Sequence, residues 1–314
     1  MGLSITPLPL SMTGAALRAA VLEAVVLAGH LLLYPTGLLD ERRAPADADT
    51  TGDTPSETRG QRPPVLLLHG FTDNRSVFVL LRRALGADGR RRVETYNYSP
   101  FTRDLRVTAR HLARRVEELC ERSGQDRVDL VGHSLGGLVA RYYVQRLGGD
   151  ARVRTLITLG TPHSGTRVAP FMDAHPLVRQ MRPESDVLSE LGAPSPGCRT
   201  RMVAFWSEFD ALMAPTGTAR IEHPDLDSTN VQVTGIGHLA LPVHPAVITA
   251  VRRALDGPVS DATAPAAAPV AASSASDATS RTAPAPRPAP TTRSAPTATG
   301  TTGSTGTEGQ GLAI

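Results

Sequence analysis

The residues most able to do chemistry lie in Gly132-His133-Ser134-Leu135-Gly136, a serine bracketed by two glycines. A serine hydroxyl is a poor nucleophile at neutral pH. It needs a base to take its proton and a third group to orient that base. Downstream, Asp210 lies in Glu208-Phe209-Asp210-Ala211-Leu212-Met213 and His238 in Gly235-Ile236-Gly237-His238-Leu239. Together they could run a two-step acyl transfer: Ser134 attacks a carbonyl as His238 takes its proton, Asp210 holds the imidazole tautomer, and water releases the acid. Rivals stay open at this point. His163 and His244 compete for the base, and Glu208, Asp225 and Asp227 for the acid. His69 and His133 precede the acid in the chain and read as structural or pocket-lining.

Such a serine needs a tight turn between a buried strand and a helix, and the sequence supplies both flanks. Arg127 to Val131 is a short apolar strand, and Gly137 to Val144 continues at helical spacing. The glycines make the turn sterically possible, and the helix that starts there aims its N–H groups at developing negative charge. The same alternation runs along the chain. Val65-Leu66-Leu67-Leu68 is a continuous apolar run, as in a strand covered on both faces. Ser76 to Leu85 fits a helix, Arg92 to Tyr98 a strand, and Asp104 to Arg122 a helix stopped by Gly124. Val153 to Leu159, Met202 to Trp206 and Asn230 to Val233 read as further strands, and Pro245 to Leu255 as a closing helix. Strands alternating with amphipathic helices predict a mostly parallel, doubly covered sheet, with every strand ending on one edge. That edge would collect His69-Gly70-Phe71, Ser134 and Thr161-Pro162-His163.

Residues 164–200 break the rhythm with Pro170, Pro176, Pro183, Pro194 and Pro196 among scattered apolar residues. The stretch is too long for an ordinary loop and is read as a small cap or lid insertion, with an ungated surface insertion as the alternative. Its aliphatic residues suggest an apolar acyl group.

The 314 residues, 40% of them hydrophobic, suffice for one sizeable α/β domain with tails. All 33 Lys+Arg residues are arginine, and the net charge is +3. So small an excess, interspersed with acids, suits a solvated surface and gives no case for a nucleic-acid partner. The domain is read as residues 63–256. It is preceded by an N-terminal apolar segment (1–39) and an acidic, Pro/Thr/Asp/Ser-rich linker (40–62), and followed by an Ala/Pro/Thr/Ser-rich tail (257–314) that cannot bury a core. Within residues 12–39, the uninterrupted apolar run is shorter than the ~20 residues of a transmembrane helix, with Arg18, Glu23 and His30 in or near it. A signal peptide would want a basic n-region, and residues 1–14 have no basic side chain. A helix packed on the domain or lying on a membrane surface tolerates these residues best, so a membrane-associated or secreted location is expected over a purely cytoplasmic one. Of the two cysteines, Cys120 fits the inner face of a helix, so a free thiol is expected rather than a pair with Cys198. No His/Cys/Asp set has metal-ligand spacing and no Gly-rich phosphate loop follows a strand, so neither metal nor cofactor is expected. Oligomeric state is left open.

Across residues 62–256 the chain resembles α/β-hydrolases of the bacterial lipase/esterase type. The resemblance rests on His69-Gly70 after the first central strand, Gly132-His133-Ser134-Leu135-Gly136-Gly137, Leu159-Gly160-Thr161-Pro162-His163-Ser164-Gly165, Asp210 and Gly237-His238. The order Ser134, Asp210, His238 is the one that topology requires. The resemblance implies Ser134 as nucleophile, Asp210 as acid and His238 as base. It puts the oxyanion hole at the backbone N–H groups of Phe71 and Leu135, with His69, Gly70 and His133 at the substrate. It also implies lipid or fatty-acyl esters as substrates, as in triacylglycerol lipases and esterases. An acyltransferase with the same triad and a non-catalytic lipid-binding protein on the same fold are the alternatives.

Overall fold

The four apolar residues Val65–Leu68 form β1, and the computed structural model buries every one of them. The structure describes residues 14–38, 62–99, 102–167 and 175–257. All but one residue each of the expected linker and tail lie outside these, as do residues 168–174 of the expected lid. The chain divides into two units, Met1–Ala268 and Pro269–Ile314, and the second lies wholly outside the described residues.

Five further strands join β1: β2 (Val93–Tyr96), β3 (Val128–His133), β4 (Val153–Leu159), β5 (Arg201–Ser207) and β6 (Ser228–Val233). All neighbours pair in parallel, in the order β2-β1-β3-β4-β5-β6. Alternating side chains divide the core in two, as the period of a strand demands. Leu66, Leu68, Leu130, Leu156, Met202 and Ala204 pack with helices α3 (Leu105–Ser123) and α4 (Leu135–Arg146). Val65, Leu67, Val131, Ile157, Val203 and Phe205 pack with α2 (Val79–Gly86) and α7 (Pro245–Asp256). Helix α3 shows the local logic. Asp104 caps its N-terminus by accepting from Arg106 N, its buried residues recur at helical spacing, and Gly124 ends it at φ 63, the left-handed conformation that favours glycine.

The register aligns the strand ends. Leu68 pairs with Gly132, His133 with Leu159, Leu159 with Phe205, and Ser207 with Val233. The turns after β1, β3, β4, β5 and β6 therefore share one edge.

Within the expected cap (164–200), α5 (Pro176–Gln180) and α6 (Asp186–Gly192) pack on α3 and α4. Leu177, Val178, Val187 and Leu191 are buried in the α3/α4 core. Tyr142 donates to Glu190 Oε2 at 2.5 Å, Arg141 Nη2 donates to Leu191 O at 3.1 Å, and Leu105 N donates to Gln180 Oε1 at 2.8 Å.

The N-terminal segment forms α1 (Gly14–Leu38), a helix of 25 residues. By length and composition it could cross a membrane, which the uninterrupted apolar run in the sequence did not suggest. One stripe of it docks on the α2/α7 side of the domain: Leu22 and Val26 pack on that core, and Asn74 Nδ2 donates to Tyr34 O at 2.9 Å. The other face exposes Leu17, Val21, Val25, Leu31 and Leu32. Both cysteines are free thiols.

Candidate active site

Ser134 sits between β3 and α4 with φ 52 and ψ −122, a strained backbone for a side-chain-bearing residue that costs about 1–3 kcal/mol. Its two flanking glycines have steric reasons. A Cβ on Gly132 would come within 2.5 Å of Gly137 Cα, and one on Gly136 within 2.5 Å of His69 O. The turn closes through Ser134 N donating to Leu159 O at 2.9 Å and Thr161 Oγ1 donating to Ser134 O at 3.0 Å. The carbonyl that Thr161 holds belongs to the strained residue itself.

Asp210, in the turn after β5, and His238, in the turn after β6, are both buried, and His238 Nδ1 lies 2.8 Å from Asp210 Oδ2. The other carboxylate oxygen accepts from Leu212 N at 3.0 Å and Met213 N at 3.2 Å. Ser207 Oγ donates to Ile236 O at 2.5 Å and ties the two turns together. Gly160, at φ 54 after β4, leaves room for the pair: a Cβ there would lie 2.8 Å from Asp210 Oδ2 and 3.0 Å from His238 Nδ1. Burial, the largest single influence, pulls the His238 imidazolium down. Asp210, by charge and hydrogen bond, with smaller contributions from Asp73 and Glu23, outweighs it and raises the group above the ordinary histidine value.

Ser134 and His238 line one cavity of ≈ 370 Å³. Its other walls come from the turn after β1 (Phe71, Thr72, Asp73), from Thr166 and Met181, from Leu212, Met213 and Leu239, and from α1 (Leu27, His30, Leu31, Tyr34). A few polar groups thus line a mostly apolar space, the usual character of a small-molecule site. Leu135 opens α4 directly after Ser134, and the Phe71 ring packs tilted on His175 with centroids 4.8 Å apart. Thr72 has φ 63, so the turn carrying Phe71 is strained like the serine turn.

His69, Gly70 and His133 do not line this cavity, although the sequence put them at the substrate. They stand behind it. The His69 ring stacks on Tyr98 with centroids 4.2 Å apart, and its Nε2 accepts from Tyr98 N at 3.3 Å. Burial pushes its pKa down, which favours the neutral ring. Gly70 is packed so closely that a Cβ would lie 2.9 Å from Asp73 Oδ2 and 3.3 Å from Ser134 Cβ. His133 is wholly buried, with Nε2 3.2 Å from His238 O and Nδ1 3.6 Å from Asp73 Oδ2. Burial works against ionising Asp73, yet His133, with His30 and His69, holds its carboxyl below the usual carboxylate value.

The rival residues are engaged elsewhere. His163 is buried, with Nε2 2.9 Å from Thr158 Oγ1 and Nδ1 3.4 Å from Arg141 Nη1. Burial and the Arg141 charge lower its pKa well below the ordinary value. His244 caps α7, its Nδ1 accepting from Ala246 N at 3.3 Å. Glu208 accepts from Gln232 Nε2 at 3.4 Å on the exterior, Asp225 accepts from Ser195 N at 2.8 Å, and Asp227 precedes β6, at the end of that strand away from His238. Among the described residues no group of three or more His, Cys, Asp or Glu side chains could hold a metal ion.

Sequence reasoning missed the share of α1 in the site. The signal was available: Glu23 and His30 are seven residues apart, on the same stripe as Ala19, Val26 and Tyr34. Polar breaks confined to one helical stripe mark a docked face.

A family model of the α/β hydrolase fold matches residues 63–185. Triacylglycerol lipases from Burkholderia plantarii and Pseudarthrobacter phenanthrenivorans are each 32% identical to the chain, over 137 and 119 residues. The matches cover 41% and 35% of this chain and 37% and 36% of those proteins, so the chain spans little more than a third of the curated relatives it matches. Among solved structures, Aspergillus fumigatus lipase B superposes with a TM-score of 0.57 at 17% identity, covering 68% of this chain and 60% of that one. The mature form of a Bacillus licheniformis lipase superposes with a TM-score of 0.53 at 16% identity, covering 65% of this chain and 96% of that one. At such identities the superpositions speak for the fold alone, and they agree with the parallel sheet. The chain has the α/β-hydrolase fold, and residues 63–185 match that fold's family model.

Proposed function

We propose that the protein is a serine carboxylic-ester hydrolase of the lipase/esterase kind, acting on lipid or fatty-acyl esters through an acyl-enzyme on Ser134. The observation that carries this reading is the buried Asp210–His238 pair, 2.8 Å apart, on the cavity that Ser134 also lines. His238 takes the Ser134 proton during attack and returns it to the leaving alcohol, Asp210 holds the tautomer, and water then releases the acid. The backbone N–H groups of Phe71 and Leu135 serve as the oxyanion hole, where losing one donor typically costs on the order of 10²–10³ in turnover.

The substrate class is supported by the curated relatives and by the cavity wall. Leu27 and Leu31 line the cavity and are also exposed, so apolar surface continues from the cavity onto the outer face of α1. An exposed apolar face of that length suits contact with a lipid surface, and with it a membrane-associated or secreted location. Hydrolysis of p-nitrophenyl esters of increasing chain length, with Ser134→Ala beside the wild type, tests the reading. Activity is expected on medium or long acyl chains and is expected to vanish in the variant. A variant as active as the wild type would overturn the mechanism, and an optimum at acetate would overturn the lipid substrate class.

A further inference from the structure

Helix α1 lies outside the stretch that matches the family, residues 63–185, yet it reaches the turn that carries His238. Glu23, half-buried on its docked stripe, spans a sequence separation of 216 and 217 residues to do so. Leu239 N donates to Glu23 Oε2 at 3.0 Å, and Ala240 N donates to Glu23 Oε1 at 2.9 Å. These are the two N–H groups directly after His238. On the other flank of the histidine, a Cβ on Gly237 would overlap the Glu23 carboxyl group. One carboxylate thus accepts two charge-assisted hydrogen bonds just after His238, each roughly twice as strong as a neutral one, and packs against Gly237 just before it.

We propose that Glu23 is a positioning residue for His238, fixing the turn that carries the base and supplying negative charge to the imidazolium that forms in each half-reaction. The inference rests on the ester-hydrolase reading above. The charged and titratable groups around His238 come from four elements. Asp210 bonds Nδ1, Asp73 approaches from the turn after β1, the His133 ring in β3 lies 4.7 Å away centroid to centroid, and α1 contributes Glu23, with His30 on the same cavity. Glu23 is one of the carboxylates that raise the His238 pKa against the effect of burial. Its role goes beyond fastening α1, because its partners are N–H groups of the catalytic turn, and small displacements of a base cost up to ~10²-fold in rate.

The test uses the full chain and a soluble p-nitrophenyl ester below any micellar concentration. Glu23→Gln keeps the shape, removes the charge, and turns one acceptor into a donor facing an N–H group. Glu23→Ala removes both bonds. For Glu23→Gln the expectation is a fall in kcat of about tenfold, a KM within about twofold, and an acidic limb of kcat/KM displaced to lower pH. For Glu23→Ala the fall is on the order of 10²-fold. Active-site titration by the p-nitrophenol burst counts competent molecules, and if Glu23→Ala does not fold, Glu23→Gln decides alone. A Glu23→Gln enzyme with wild-type kcat per titrated site and an unmoved limb overturns the proposal and leaves Glu23 as a fastener of α1. Absence of Ser134-dependent hydrolysis in the wild type overturns the ester-hydrolase reading itself, a result distinct from the first.

Discussion

The serine turn and helix α1 line one cavity and are held in place by different means. The turn is built from backbone. Gly132 and Gly136 leave no space for a Cβ, Ser134 adopts a strained conformation, and the chain on either side is buried. Helix α1 is held by side chains, through Glu23, Leu22, Val26 and the Asn74–Tyr34 bond, while its other face lies open with Leu32 80% exposed. Backbone geometry tolerates almost no change of residue type. A docked apolar helix tolerates many changes on its open face and few on its docked stripe. The same cavity therefore has one wall that tolerates almost no substitution and another that tolerates many on its outer face.

That contrast can be broken at several points. On the rigid side, Ser134→Ala should lower kcat on the order of 10⁶-fold with the fold intact, measured on a soluble ester alongside a thermal melt. Asp210→Asn should cost about 10⁴-fold and move the acidic limb. Because the His238 pKa is raised and the base acts as the neutral imidazole, activity falls on acidification through a pKa above the ordinary ~6.5. Removing the Asp210 charge lowers that pKa, so the limb shifts to lower pH. Gly160→Ala forces a methyl between Asp210 and His238 and should cost on the order of 10²-fold in kcat, with about 1–3 kcal/mol of stability. On the open side, Leu32→Ser should leave stability within about 0.5 kcal/mol and soluble-ester kinetics unchanged. It should still weaken partition onto phospholipid vesicles by about tenfold, as expected for losing one buried leucine. Equal binding by Leu32→Ser and wild type would remove the lipid-surface role of α1.

What was legible in the sequence follows the same division. Gly132, Ser134 and Gly136 announce themselves because geometry dictates their type, and Val65–Leu68 or Val153–Leu159 because a doubly covered strand must be apolar throughout. The pairing of Asp210 with His238 could be inferred from chain order but not its exclusivity, since His163 differs from a candidate base only through Arg141 and Thr158, contacts invisible in sequence. His69 and His133 adjoin the catalytic turns in sequence, and adjacency there does not reveal which way a ring points. Residues 164–200 read as a cap or lid insertion, and the burial of Leu177, Val187 and Leu191 in the core was not legible because prolines obscure the periodicity there. That α1 packs on the domain was among the expectations, but its place in the cavity wall was hidden because a mostly apolar helix offers little contrast between its faces. Only Glu23 and His30 mark the buried one.

The central claim is an acyl group on Ser134, formed with His238 as base. The direct measurement is rapid acid quench of the wild-type protein during turnover of a p-nitrophenyl acyl ester, followed by peptide mapping by mass spectrometry. The account predicts one acyl mass increment on the peptide bearing Ser134, none in Ser134→Ala, and a much slower rise of that increment in Asp210→Asn. Ester turnover with the acyl group on another residue, or with Ser134 never acylated under the same quench, would contradict it.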